Sequence, residues 1–316
     1  MISRPVAYAC LAMSMSLVGS YVALSKPLAA TFPVLLLAWL RFGIGAVAMP
    51  HWLRKSPDEP PMSGQTRGLL FLQSFLGNFL FTICMISGVS MTSATSAGVI
   101  MASIPACVAV MSWLFLRERI APRTWVAVVC AVLGIALFSL SQSHHGAANA
   151  SPDTPDNEWL GYALLVAASI CEAAYSVIGK KLTGSLSPRR ITSLINLWGF
   201  LLATPFGIYY ALRFDFAAVH SGIWLLLVLY ALAACMWSVW LWMTGLKVVP
   251  AAQGGVFTVL LPVSAAAVGV LVLGEQFTPT QLIAFGMALA SVVLATLPSR
   301  TAARVTVPGG SDARGQ

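Results

Sequence analysis

The side chains best suited to chemistry in this sequence are polar groups set inside long apolar stretches. Glu172 follows Trp159 by thirteen residues and precedes Lys180 by eight, and it shares a helical face with Ser169 and Ser176. A carboxyl group that deep in an apolar segment is costly, so it is expected to serve a function. Proton exchange and binding of a solute ammonium group are the functional alternatives, and neutralisation of a basic group on another helix is the structural one.

A cation lies in a comparable position in another apolar stretch. Arg41 follows Pro33 by eight residues, and a charge at that depth is unfavourable by about 2.5–3.5 kcal/mol on insertion scales. We therefore expect Arg41 to face a cavity, to take part in coupling or to have a structural role. At about 1.5 Å of rise per residue, Arg41 and Glu172 differ in depth by roughly 8 Å, so a direct ion pair is possible but not required.

Other polar residues recur at helical spacing. Ser74, Asn78 and Thr82 follow one another at intervals of four, which places them in a stripe that either lines a cavity or bonds a neighbouring helix. Tyr230, Trp237 and Thr244 recur every seven residues and could form one wall, although Trp237 suits a lipid-facing position equally well. The predicted substrate-binding residues are Ser74, Asn78, Glu172, Tyr175, Trp237, Gln253 and Thr258.

The sequence contains no arrangement typical of a metal site or a catalytic site. His144 and His145 are adjacent but have no third ligand in spacing, and the six cysteines lie singly in apolar segments. No catalytic residue, metal or cofactor is therefore predicted. The alternative to a non-enzymatic function is a membrane-embedded enzyme acting on a lipid-linked substrate, which would need a nucleophile, base or metal near an interface.

The elements that position these residues are membrane helices. Hydrophobic residues make up 58% of the chain and charged residues 9%, with a mean hydropathy of +0.84, whereas soluble domains are about 25% charged. The sequence predicts an all-α polytopic membrane protein embedded in the lipid bilayer. Its ten apolar segments cover approximately residues 5–24, 32–52, 68–87, 93–116, 123–142, 159–179, 190–212, 222–246, 249–273 and 280–297.

The distribution of positive charge predicts the orientation. The net charge is +8, and with the N-terminus inside, the inner segments carry fifteen Lys and Arg residues against Lys26 and Arg213 outside. This asymmetry is the positive-inside pattern of a protein with both termini in the cytoplasm. The charge therefore does not indicate nucleic acid as a partner.

The chain carries an internal duplication. Residues 88–122 match residues 245–279 at ten of thirty-five positions, at an offset of 157. An odd number of helices per copy inverts the second copy, and the loop with Arg117, Arg119 and Arg123 corresponds to a loop that has no cation. The predicted architecture is therefore two inverted five-helix repeats, which in secondary transporters places a site near mid-membrane.

Four matched residues are assigned structural roles. Pro105 and Pro262 interrupt their helices near the middle and free a carbonyl group there. Glu118 and Glu275 each precede a helix that starts with proline, where the free N–H groups and the helix dipole favour an anion.

These features resemble the EamA-type branch of the drug/metabolite transporter superfamily. The resemblance covers about residues 5–298 and is based on the ten segments, the duplication and the repeated pattern of Pro105 with Leu116-Arg117-Glu118 and Pro262 with Leu273-Gly274-Glu275. It implies a multi-pass carrier of the cell inner membrane that often exports amino acids or other small-molecule metabolites by alternating access.

The domain boundaries follow from the duplication. We predict a first EamA-type repeat at 1–142, an outer linker at 143–158, an inverted second repeat at 159–298 and a disordered cytoplasmic tail at 299–316. Proton coupling through Glu172 is a hypothesis at this stage. The residues leave the substrate, the direction of transport and the oligomeric state open, and a homodimer is possible.

Overall fold

A computed structural model describes residues 2–24, 26–55, 59–91, 100–101, 103–146, 158–261, 263–264, 267 and 279–296. Secondary structure within these ranges is helical throughout, which confirms the predicted fold class. Pro262, Glu275, residues 147–157 of the expected linker and the tail at 299–316 lie outside the described residues.

Ten helices correspond to the ten apolar segments. They are α1 (Arg4–Leu24), α2 (Val34–Ala48), α3 (Gly64–Ser74, Phe75–Leu80 and Phe81–Met91), α4 (Ile104–Leu116), α5 (Pro122–Gly146), α6 (Glu158–Leu182), α7 (Pro188–Ala211), α8 (Ser221–Ala231, Leu232–Trp237 and Ser238–Val248), α9 (Ala251–Val256, continued by Phe257–Val259) and α10 (Pro279–Thr296). Four described stretches, in α3, α6, α7 and α8, are both long and apolar enough to cross a membrane. Helix α5 extends to Gly146, so the segment expected as linker begins inside this helix.

Two helices contain a π-helical turn at equivalent positions. The turn in α3 covers Phe75–Leu80 and the turn in α8 covers Leu232–Trp237, and the two are related by the same offset of 157 residues as the sequence repeat. A π turn inserts one extra residue and shifts the helical face of everything that follows. The sequence periodicity did not predict these turns.

The packing of the helices follows the duplication. Helix α1 packs on α8 and α3 packs on α6, while α2 packs on α7, α4 on α9 and α5 on α10. If each helix is replaced by its counterpart in the other repeat, so that α1 becomes α6 and α8 becomes α3, the α1–α8 pair becomes the α6–α3 pair. The other three pairs each join a helix to its own counterpart. This is the pairing expected when two similar five-helix units interlock.

Matched glycines allow a close approach in two of these helix pairs. A Cβ atom on Gly88 would lie 2.8 Å from the Leu165 side chain and 3.1 Å from the Gly161 carbonyl oxygen, where α3 meets α6. A Cβ on Gly245 would lie 2.5 Å from Leu11 and 2.9 Å from the carbonyl oxygen of the α1 residue Ala7. The first matched pair of the sequence repeat therefore has the same packing role in both units.

Candidate functional site

Glu172 lies on the inner side of α6. The exposed side chains Val166 and Ile170 mark the lipid-facing side of this helix, and at about 100° per residue Glu172 lies roughly 200° from Ile170. Glu172 is nevertheless partly accessible, although Ala168 and Gly179 along its own face are buried. The Glu172 side chain therefore lies on the side of α6 that faces the neighbouring helices and not the lipid.

The Glu172 carboxylate has no salt bridge and no hydrogen bond to any residue that the structure describes. Tyr175, one turn further along α6, is close enough to interact electrostatically with Glu172 and with Tyr21 of α1. The Tyr175 ring lies against the π turn of α3 at Gly77, where a Cβ atom would overlap the ring. In addition, Gln73 Nε2 donates a hydrogen bond of 3.1 Å to the Tyr175 carbonyl oxygen.

Arg41 lies at the middle of α2 among aromatic residues. Its Nη1 donates a hydrogen bond of 3.3 Å to the Tyr230 hydroxyl, and its Cζ lies 4.6 Å from the Phe42 ring centroid and 5.9 Å from that of Tyr230. The Tyr21 and Tyr230 rings meet edge to face with centroids 5.3 Å apart. Within the described residues Arg41 has no carboxylate partner, so it does not pair directly with Glu172.

The predicted stripe on α3 separates into a buried and an accessible part. Ser74 is fully buried and donates a hydrogen bond of 2.8 Å to the Ile195 carbonyl oxygen of α7. Asn78 Nδ2 donates to Ser74 Oγ at 3.3 Å, and Thr82 Oγ1 donates to the Asn78 carbonyl oxygen at 2.6 Å. Ser74 thus connects two helices, whereas Asn78 and Thr82 remain available to a cleft.

This cleft is small, with a volume of about 20 Å³, and lies between α2, α3 and α7. Its lining is mostly apolar and comprises Leu35, Ala38, Phe42, Asn78, Phe79, Thr82, Gly199 and Ala203. Phe42 also contacts the Arg41 guanidinium. An apolar cleft therefore adjoins the polar group formed by Arg41, Tyr21 and Tyr230.

Trp237 faces away from the polar group. Its side chain is 47% exposed, and Leu225 and Leu229 on the same helix are also exposed, at 63% and 57%. The extra residue of the π turn places Trp237 about two turns after Leu229 on that outer face. The expected wall of Tyr230, Trp237 and Thr244 does not form, because Tyr230 faces Arg41 and Thr244 is buried.

The remaining predicted contacts lie on α9. Thr258 Oγ1 donates a hydrogen bond of 2.8 Å to the Gly255 carbonyl oxygen, and both Thr258 and Gln253 are partly accessible. Neither residue has a described interaction with Glu172 or Arg41. By contrast, Tyr21, Tyr230 and Cys235 lie around Arg41, and none of the three was among the predicted substrate-binding residues.

Glu118 joins the C-terminal end of α4 to the N-terminal end of α9. It follows Arg117, whose φ of 53° ends α4 in the left-handed region. The carboxylate accepts hydrogen bonds from Ser112 Oγ, from Ala251 N at 3.1 Å and from Ala252 N at 3.4 Å. Glu118 therefore caps α9, a helix far away in sequence, and not the α5 helix that follows it directly.

Pro105 lies in the first turn of α4. Ser103 is a turn residue whose N–H bonds the Ile100 carbonyl oxygen at 2.9 Å, and Ile100 itself is helical. Within the described residues, Pro105 therefore lies at the start of a helix, directly after a turn at Ser103.

Glu59 has a structural role that its loop did not suggest. It is buried, and its carboxylate accepts hydrogen bonds of 2.7 Å from Ser187 N and from Arg190 Nη1 at the start of α7. Burial alone would raise the pKa of Glu59, but the hydrogen bonds from Ser187 and Arg190 outweigh it and lower that pKa. Because the partners lie 128 and 131 residues away, no local pattern predicts them.

Comparison with known proteins supplies the family context. The profile of the EamA-like transporter family matches residues 6–140 and 159–297. The chain is 34% identical over 272 residues to the uncharacterized transporter YetK of Bacillus subtilis (strain 168), covering 86% of this chain and 81% of that protein. It is 24% identical over 221 residues to the uncharacterized transporter YwfM of the same organism, covering 70% of this chain and 69% of that protein.

The fold also occurs in a protein of known crystal structure. The two chains superpose with a TM-score of 0.74 at 18% sequence identity, over 95% of this chain and 100% of the other. At that identity the similarity establishes the fold only.

Proposed function

The chain belongs to the EamA-like transporter family, and from that premise we propose that it is a secondary carrier that exports small amphiphilic metabolites, such as amino acids, across the cell inner membrane. The observation that carries the proposal is Glu172. Glu172 is partly accessible on the protein-facing side of a membrane helix, and its carboxylate has no salt bridge or hydrogen bond among the described residues. A carboxylate without a partner in that position is suited to bind a solute ammonium group or a proton.

The geometry around Glu172 fits an amphiphilic solute. Tyr175 and Tyr21 extend the polar surface from Glu172 toward Arg41. The cleft beside Phe42 offers a hydrocarbon side chain an apolar surface formed by Leu35, Ala38 and Phe79. Asn78 and Thr82 supply polar groups within that cleft.

The proposed mechanism is alternating access between two inverted five-helix units. The symmetric helix pairs and the π turns at equivalent positions support this proposal, because both units then have the same packing and the same irregular turn. In the proposed orientation both termini are cytoplasmic and the Glu118 and Glu59 contacts lie at the inner surface. Rocking of the units would expose the site to each side in turn.

A metabolite screen tests the proposal. Cells that overproduce the wild-type protein, a Glu172→Ala variant and an Ile170→Ala variant are compared for efflux and uptake of a panel of amines, acids and amino acids. Ile170 lies on the lipid-facing side of the same helix, so Ile170→Ala should match the wild type. Glu172→Ala should no longer transport the solutes that the wild type transports. Identical efflux and uptake profiles for the wild type and Glu172→Ala would refute the assignment of Glu172 to the site.

Proton coupling is the second part of the proposal. Glu172→Gln keeps the size and polarity of the side chain but cannot exchange a proton. In proteoliposomes we expect this variant to lose the dependence of transport on an imposed pH gradient. Full pH-dependent transport by Glu172→Gln would exclude coupling through this residue.

A further inference from the structure

The charge of Arg41 lacks a counter-ion in the part of the chain that the structure describes. Its guanidinium contacts the Tyr230 hydroxyl and two aromatic rings, and its Nε is buried without a hydrogen-bond partner. Aromatic rings and a phenol stabilise a cation but do not neutralise it. A guanidinium in a low-dielectric site is best satisfied by a carboxylate, which accepts two parallel N–H bonds.

The second half of the protein supplies an internal comparison. Pro33 before α2 and Pro188 at the start of α7 align at an offset of 155 residues, which pairs Arg41 with Asn196 of α7. Asn196 is buried, and its Nδ2 donates to the carbonyl oxygens of Thr192 at 2.7 Å and of Cys235 at 2.8 Å. The Cys235 carbonyl belongs to the π turn of α8, so Asn196 satisfies the irregular backbone. Packing at this position is therefore achieved by a neutral side chain, and the charge of Arg41 requires a different reason.

Surrounding groups already orient the Arg41 side chain. Tyr230 fixes one nitrogen, and Tyr21 packs edge to face on the Tyr230 ring. Cys235 Sγ donates a hydrogen bond of 3.6 Å to the Arg41 carbonyl oxygen, which connects α2 to the π turn of α8. A preorganised donor of this kind binds a ligand with less loss of conformational entropy than a free side chain.

We propose that Arg41, Tyr21 and Tyr230 form a carboxylate-binding subsite, distinct from Glu172, that recognises the acidic group of the solute. The inference builds on the proposed carrier function and refines it. Glu172 and Arg41 both lie well inside a membrane helix and lack an ionic partner among the described residues. Tyr175 neighbours Glu172 and Tyr21, and Tyr21 in turn neighbours Arg41. A solute with both a carboxylate and an ammonium group neutralises both charges.

Chemical protection of Arg41 tests the subsite directly on the wild-type protein. The purified protein is treated with phenylglyoxal, which modifies guanidinium groups, and modification at each arginine is measured by peptide mass spectrometry. The added solutes are two matched sets, namely L-leucine, 4-methylpentanoate and 3-methylbutylamine, and L-phenylalanine, 3-phenylpropanoate and 2-phenylethylamine. Arg117 and Arg119 are exposed and serve as reference positions.

We expect the amino acid and the acid of at least one set to slow modification of Arg41 at least threefold, while the amine of that set has no effect and the reference arginines react unchanged. The subsite proposal would be overturned if Arg41 stayed unmodified while Arg117 reacted. It would also be overturned if Arg41 reacted equally with and without the acids. An Arg41→Lys variant, which keeps the charge, should retain discrimination of acids from amines in a binding assay, and Arg41→Met should lose it. Equal discrimination by Arg41→Met would also overturn the proposal.

The proposed carrier function and the proposed subsite can be refuted independently of each other. If the acids protect Arg41 but proteoliposomes transport none of the six solutes or the screened metabolites, the transport proposal is refuted and the subsite stands. If transport occurs without protection of Arg41, the subsite is refuted and the carrier function stands.

Discussion

Removal of the Glu118 carboxylate should weaken the contact between α4 and α9. Glu118→Ala leaves the N–H groups of Ala251 and Ala252 and the hydroxyl of Ser112 without their acceptor. Loss of a helix cap destabilises by about 0.5–2 kcal/mol, and a buried donor left unsatisfied costs about 1–3 kcal/mol. Because Glu118 is only partly buried and water can replace some of these bonds, we expect a loss of about 2–4 kcal/mol.

The expected shift in melting temperature follows from the size of the chain. At an unfolding entropy of about 2.1 cal/mol/K per residue, the loss corresponds to about 3–6 °C. The measurement is thermal unfolding of the purified protein in detergent, followed by circular dichroism. Glu118→Gln keeps one acceptor oxygen but loses the charge, so its melting temperature should fall between those of the wild type and Glu118→Ala.

Arg119→Ala is the matched control. Arg119 is exposed in the same loop and has no hydrogen bond among the described residues, so its removal should leave the melting temperature unchanged. The account of Glu118 as a cap would be refuted by a melting temperature of Glu118→Ala that stays within about 1 °C of the wild type. It would also be refuted if Arg119→Ala had an equal effect.

Three further predictions concern the helix ends and the π turn. Arg117→Gly should stabilise the protein by up to about 1 kcal/mol, because glycine adopts the left-handed backbone of Arg117 without strain. The second repeat already has a glycine, Gly274, at this position. A lower melting temperature for Arg117→Gly would contradict this prediction. Gly77→Ala should destabilise the protein by about 1–3 kcal/mol and reduce transport, because the new Cβ atom overlaps the Tyr175 ring. Gly68→Ala places its Cβ atom in open space and should be neutral or stabilising. Similar melting temperatures for the two variants would contradict this prediction. Glu59→Gln should destabilise by about 1–2 kcal/mol at pH 7. Because the pKa of Glu59 is lowered in the folded protein, its contribution is complete above the unfolded value of about 4.3 and is lost as the pH falls through the folded value. Wild type and Glu59→Gln should therefore converge in stability once the pH falls below the lowered pKa of Glu59, and a gap that stays constant as the pH is lowered through the acid range would contradict the assignment.

The sequence was sufficient to predict the elements that depend on local composition. Ten apolar segments gave the ten helices, and Glu172 was singled out because no other acid lies well inside a span. The repeat around Gly88 and Gly245 was visible as a pattern, and the packing shows what it does.

Features that depend on one residue of register or on distant contacts were not predictable. The π turns in α3 and α8 shift the helical face by one residue, and this is why Trp237 lies on the outer face while Tyr230 faces Arg41. Glu118 and Glu59 cap helices whose N-termini lie more than a hundred residues away. The free energy of such caps depends on the folded arrangement, and the loop sequences alone carry no signal of it.

Solute counterflow in proteoliposomes tests the central claim most directly. Vesicles that contain the purified protein are loaded with an unlabelled solute from the metabolite screen and diluted into the same solute in labelled form. The account predicts transient accumulation of label with the wild-type protein and with Ile170→Ala, and none with Glu172→Ala. Accumulation by Glu172→Ala equal to that of the wild type, or none by the wild type above empty vesicles, would contradict it.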